Sequence, residues 1–258
     1  MRIWGKFFGF CIGYMFGKGF GALLGLWLGH MFDKRKGFAD MMRKGHERQA
    51  QFFNTTFTVM GHVAKASGHV TDIDIRIASM LMDQMKLTGD ARRDAQVAFK
   101  NGRDANFDLV TTLREFRAMT QGRREILQMF LEIQIQTALS DGELHSKEKQ
   151  ILSTIARELG LGQEHLDALL NRWQAEFHHH QSANGNAMQL GDAYSLLGKE
   201  ESSSDQEIKR AYRKLMNEHH PDKLVAKGLP QEMMELAKTK AQDIQSAYET
   251  VKTSRGMK

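Results

Sequence analysis

Apolar residues recur at helical spacing through most of the chain. Between about Ala50 and Phe177 the stripes include Ile73, Ile77, Leu81 and Met85, and later Ile126, Phe130, Ile133 and Leu139. Steps of three and four residues place such side chains on one helix face, where they meet a core. The only prolines, Pro221 and Pro230, lie beyond this stretch, so Gly and Asx turns alone punctuate it. The pattern predicts about seven helices and no sheet, within an all-α chain.

The N-terminus follows a different pattern. Phe7 to Phe32 is almost wholly Phe, Ile, Leu, Met, Trp, Tyr, Ala and Gly, and its 26 residues suffice for a single transmembrane helix with some tilt. Lys18 interrupts it at an insertion cost of about 2.5–3.5 kcal/mol. The flanking apolar residues offset that cost, and a long Lys stem can snorkel. Trp4 and Trp27 stand towards the two ends, where interfacial aromatics belong. From just before the span through it, Gly5, Gly9, Gly13, Gly17, Gly21, Gly25 and Gly29 recur every fourth residue. On a helix they form one slowly winding groove that lets a second backbone approach closely, which predicts a homodimer through this segment.

Two stretches repeat at an offset of 74 residues, one starting at Gly68 and one at Gly142. Val70 pairs with Leu144, Asp74 with Glu148, Ile77 with Ile151, Leu81 with Ile155, Met85 with Leu159 and Leu87 with Leu161. Each reads as a glycine turn, an anchoring apolar residue, an acid in the first helical turn and then a buried stripe. Asp72, Asp74, Asp141, Glu143 and Glu148 read as helix-capping residues, and the TerB-like resemblance drawn below implies metal binding by them as the second reading. Their spacing is what helix starts require, so capping is preferred and no metal site is assigned.

His178-His179-His180 opens a polar stretch read as a linker rather than a metal site. Beyond it, Asp192 to Leu197 forms a short helix. Ser204-Asp205-Gln206-Glu207 is a capping box opening a longer helix that ends before Pro221. There Ile208, Ala211, Tyr212 and Leu215 face inward, and Lys209, Arg210, Arg213 and Lys214 form a basic outer face. A loop runs to Pro230, and a last helix spans about Gln231 to Lys252. The expected object is an antiparallel hairpin displaying His220-Pro221-Asp222 at its tip, with His219 turned into the core.

Charge sharpens this division. The 258 residues carry a net +5, which taken whole suggests nucleic acid or a membrane surface. Residues 1–44 hold eight basic and two acidic side chains, +6, against 28 basic and 29 acidic in the remainder. No nucleic-acid partner is therefore expected. The cluster Lys34-Arg35-Lys36 with Arg43 and Lys44 outweighs Arg2 and Lys6, which places the bulk in the cytoplasm and the short N-terminus outside. Cys11 is the single cysteine, so no internal disulfide forms. No P-loop, zincin or nucleophile-elbow motif occurs, and neither enzymatic activity nor a cofactor is expected.

The motifs "DAYSLLG", "EIKRAYRKLMNEHHPDK" and "DIQSAYETV" resemble the three helices and His-Pro-Asp loop of a J domain. Asp141, Gly142 and Glu148 resemble the turn-helix pattern of TerB-like helical domains. Anchor, middle domain and J domain in this order resemble the membrane-anchored co-chaperones of DnaK in Gram-negative bacteria. The resemblance implies domains at 1–6 (periplasmic N-terminus), 7–32 (transmembrane helix), 33–54 (basic juxtamembrane segment), 55–177 (TerB-like), 178–190 (flexible linker) and 191–258 (J domain). It implies a DnaK-type partner whose ATPase is stimulated at the cytoplasmic face of the inner membrane. The partner-contacting residues would be His220, Pro221, Asp222, Lys209, Tyr212, Arg213 and Lys214. It further implies a tie to envelope-stress signalling and capsular polysaccharide synthesis. The alternative is a membrane-tethered TerB-type scaffold or metal-responsive module. J domains usually carry Phe where this chain has Ala241, so Met233 or Leu236 is expected to fill that space. A Gly/Phe-rich region and a CxxC zinc module are both missing, which implies client recruitment through the middle domain or anchor.

Overall fold

A computed structural model describes residues 45, 47–182 and 190–257. The anchor segment Phe7–Phe32, its glycine ladder and most of the basic cluster lie outside them. Among the described residues no helix is long and apolar enough to cross a membrane. The chain divides into two compact units at Gln51–Phe52. In the described residues there is no strand.

Seven helices build the middle region: α1 (47–65), α2 (Asp72–Gln84), α3 (Gly89–Asn101), α4 (Leu109–Met119), α5 (Arg124–Ala138), α6 (Ser146–Leu159) and α7 (Gln163–Ser182). α5 is central. Ile126, Leu127, Met129, Phe130, Leu131, Ile133 and Ile135 are all buried, as are Gln128, Glu132 and Gln134, so it is enclosed on every side. Phe116 packs on Phe130 with ring centroids 4.3 Å apart. α7 continues through His178–His180 to Ser182, because no helix breaker precedes Asn184-Gly185.

The duplication holds in three dimensions. α2 begins at Asp72 and α6 at Ser146, 74 residues later. The Asp74 carboxylate accepts from the Thr71 N–H at 2.8 Å, and Glu148 accepts from the His145 N–H at 3.0 Å. Leu81, Met85 and Leu87 are buried, and so are Ile155, Leu159 and Leu161. The helix ends match too. Leu87 N–H donates to Met82 C=O and Leu161 N–H to Ala156 C=O, with a left-handed residue before each, Lys86 at φ 53° and Gly160 at φ 74°. One expected core residue fails: Ile73 is 38% exposed, because the buried face of α2 follows Asp74, Ala78, Leu81 and Met82 instead.

Four helices complete the chain: α8 (Leu190–Leu196), α9 (Asp205–His219), α10 (Pro221–Ala226) and α11 (Met234–Arg255), the last entered through a 3₁₀ turn at Gln231–Met233. Ser204 and Glu207 form the expected capping box, the Glu207 carboxylate accepting from the Ser204 N–H at 2.8 Å. A separate core joins Tyr194, Leu197, Ile208, Leu215, Ile244 and Val251. Arg255 closes this bundle. It donates to the Ser203 C=O at 2.7 Å, to Asp205 at 3.1 Å, and to the Glu201 C=O and Tyr194 hydroxyl.

Candidate functional site: the tip of the helical hairpin

His220 sits between two helices. It is extended at φ −65°, ψ 122°, as the residue before a proline must be, and it ends α9 and starts α10 at once. Pro221 takes the first position of α10, where its missing N–H and fixed φ do no harm. The segment expected as a loop is thus helical over Pro221–Ala226. It stops where the Leu229 N–H reaches the Leu224 C=O at 2.9 Å, with Gly228 at φ 94°.

The seven predicted contact residues gather around this junction but do not share one surface. Lys209, Tyr212 and Arg213 lie at i, i+3 and i+4 on one side of α9. Tyr212 is held there by stacking on Tyr248 at 4.1 Å and 12°. Lys214 instead lines, with Arg210 and Glu218, a cleft of about 640 Å³ whose opposite wall is Ala168, Asn171 and Arg172 of α7. Arg213, Lys214 and Asp222 are exposed, whereas His220 and Pro221 are half-buried. The middle region flanks this hairpin on the side of Lys214 and Lys227.

His219 is buried as expected, 2% exposed, and its surroundings are polar. Its Nε2 lies 3.6 Å from Glu132 Oε1 and 3.4 Å from Gln128 Nε2, and Gln128 donates to Glu132 at 3.0 Å. Burial holds the imidazole below its ordinary value, with Lys240 and Arg172 adding to the effect and Glu132 opposing it. Burial pushes Glu132 up, but the positive groups around it prevail and hold its carboxyl below the usual range.

Sequence reasoning missed the residues facing this tip. Lys227 Nζ meets Glu125 at 2.6 Å, and Arg123 donates to the Lys227 C=O at 2.6 Å. Lys240 Nζ stands 4.0 Å over the Trp173 ring. A signal did exist: Gln128 and Glu132 are polar residues among the apolar ones of α5, and buried polar groups have partners. Met233 and Leu236, expected to fill the space at Ala241, pack instead with the middle region's core.

Of the acids of the duplicated turns, Asp74 and Glu148 are occupied as caps, and Asp141 accepts from the Glu143 N–H at 3.1 Å. Asp74 also accepts from Ser140 Oγ at 2.8 Å. The Glu148 carboxyl is pushed up by burial, with Asp141 and Asp74 adding to this against the His145 N–H. Among the described residues no group of three or more His, Cys, Asp or Glu side chains is placed to hold a metal ion.

Residues 1–49 match the family model described as Co-chaperone DjlA transmembrane domain, 54–171 that of Tellurite resistance protein TerB, and 192–256 that of the DnaJ domain. The chain is 65% identical to the co-chaperone protein DjlA of Shewanella oneidensis, over the full length of both. It belongs to the DjlA co-chaperone family. DjlA proteins of Salmonella typhimurium and Photobacterium profundum are 50% and 48% identical, covering 100% and 99% of this chain and all of their own length. No solved structure matches. Membership makes the chain an all-α co-chaperone with a transmembrane domain, a TerB domain and a J domain. A J domain implies a DnaK-type partner, and the transmembrane domain implies a membrane. The DjlA relatives are named as co-chaperones, a role that is not enzymatic.

Proposed function

We propose that this chain stimulates ATP hydrolysis by a DnaK-type chaperone through His220-Pro221-Asp222. The observation that carries the reading is the tip itself. α9 and α10 fix His220 between two helix ends, Asp222 is exposed beside it, and the stack of Tyr212 on Tyr248 holds the Arg213 side of α9 next to it. Asp222 offers a charged acceptor to a guanidinium on the partner. Lys209, Arg213 and Lys214 steer the approach of an acidic surface. Pro221 fixes the backbone between them.

In this reading the anchor crosses the inner membrane once, with a periplasmic N-terminus and a cytoplasmic bulk. The glycines Gly5 to Gly29 pair two such helices as a homodimer. The linker between the TerB-like and J domains follows α7, after Ser182, and the output bears on envelope-stress signalling and capsular polysaccharide synthesis. The test is single-turnover ATP hydrolysis by a DnaK-type chaperone with and without the full-length protein. His220→Gln is expected to remove the stimulation while leaving the circular dichroism spectrum and the dimer unchanged. Full stimulation by the variant would overturn the reading.

A further inference from the structure

The J domain has two sets of buried apolar residues with different allegiances. Ile208, Leu215, Ile244, Ala247 and Val251 form its own core. Leu224, Leu229, Met233 and Ala237, from α10 and the entrance to α11, are each no more than 3% exposed and belong to the core of the TerB domain. The segment that follows His-Pro-Asp is thus packed as part of another domain. Polar contacts hold it from outside. Glu125 pairs with Lys227, and Arg123 donates to the Lys227 C=O. Arg123 also lies across Gly228, so closely that a Cβ there would stand 2.6 Å from its Nη1.

The seam around these contacts is not packed like a core. A cavity of about 350 Å³ on one side is walled by Ile77, Met129, Trp173 and Leu236, and the polar cleft of about 640 Å³ lies on the other. Both are half-open grooves at the edges of the contact. His220 Nδ1, His165 Nε2 and Arg172 Nε are buried with no hydrogen-bond partner in the protein. The docked arrangement is therefore anchored at a few points and poorly completed at its edges, as expected of a contact that opens.

We propose that the start of α5, with α7, is a docking surface for the chain's own J-domain tip, and that the docked tip is withheld from the chaperone. The inference rests on the co-chaperone reading above. In the docked arrangement His220 and Pro221 are half-buried and Lys214 lines the cleft walled by α7, so the partner meets a complete surface only when the tip has left the seam. A competent state populated only fractionally lowers apparent affinity by that fraction. Release follows when something competes for the surface of α5 or for the tip.

The experiment compares full-length protein with the Arg123→Ala/Glu125→Ala variant, which leaves every predicted chaperone contact intact. Two readouts are taken: stimulation of the chaperone at sub-saturating co-chaperone, and amide hydrogen exchange. The variant is expected to stimulate about threefold to tenfold more, the gain in open fraction. Exchange is expected to accelerate at Leu224 and Leu229 and to stay slow at Ile244 and Val251. Adding His220→Gln is expected to erase the gain. Faster exchange at the tip without higher stimulation overturns the proposal, and so does unchanged exchange. If protection at Ile244 and Val251 is also lost, Lys227→Gln, which removes only the ion pair, carries the same expectations. If the wild-type chain gives no stimulation at all, the co-chaperone reading fails, and the exchange readout alone decides whether the tip docks.

Discussion

Gly61→Ala tests how tightly the TerB domain is built. α1 and α3 approach through two glycines. A Cβ at Gly61 would lie 1.9 Å from the Phe99 carbonyl oxygen, and one at Gly102 would lie 1.7 Å from that of Thr58. Ordinary contacts begin near 3.4 Å, so admitting a methyl group at Gly61 requires the backbones to part by about 1.5 Å. The obstacle is main chain and cannot swing aside. Separation of this size strips contact from Phe57, Met60 and Phe99, since a gap of about 0.5–1 Å already forfeits a quarter to a half of the dispersion well. Overpacking costs about 1–3 kcal/mol and in rigid surroundings more, whereas Ala for Gly within a helix returns at most about 1 kcal/mol. The net expectation is a loss of about 2 kcal/mol, or about 4–8 °C in Tm for a folded body of this size. Thermal unfolding of the full-length protein in detergent, followed at 222 nm, measures it. Gly191→Ala is the control, because a Cβ there meets nothing within 4 Å. Adding Gly102→Ala to Gly61→Ala is expected to cost less than the sum, since helices already parted have room for the second methyl. A Gly61→Ala protein as stable as wild type would refute the close-approach argument.

Two further outcomes can be checked on the same apparatus. Lys86→Gly is expected to raise stability by about 0.5–1 kcal/mol, because Lys86 holds the left-handed conformation that the second repeat gives to Gly160. Its ion pair to Glu235 is too exposed to matter, so an unchanged or lower Tm would sink the comparison. Acidification is expected to destabilise the chain through His219. Its folded pKa is depressed, so its contribution is whole above the ordinary 6.5 and is lost as pH falls from there towards the folded value. Glu132, Lys240, Arg172 and Glu218 face this imidazole. Between pH 7 and 5.5 the wild type is expected to lose more Tm than His219→Gln, and equal losses would show that His219 is not the titrating group.

The legible part of this protein was local. The capping box at Ser204, the helix break before Pro221 and the acid in the first turn of each repeated helix each depend on backbone groups a few positions apart, which residue type controls directly. The stripe at Ile126, Phe130, Ile133 and Leu139 was legible because a helix buried on all sides tolerates no wrong phase. Ile73 was misread because α2 is buried on one side only, and a turn of its face by one residue changes which side chains meet the core. The loop after Asp222 became α10 because its apolar residues found a core to join. That core belongs to the TerB domain: Leu224, Leu229 and Met233 pack there, and the partners that hold the tip, Arg123 with Lys227 and Gln128 with His219, are 104 and 91 residues apart. Periodicity and capping report which face of a helix is apolar and where the helix ends. They carry no record of which distant surface that face will meet. The sequence alone determined the helices other than α10, the order of the domains and the residues of the His-Pro-Asp tip. Only tertiary packing decided that one side of the hairpin is flanked by the chain's own middle domain.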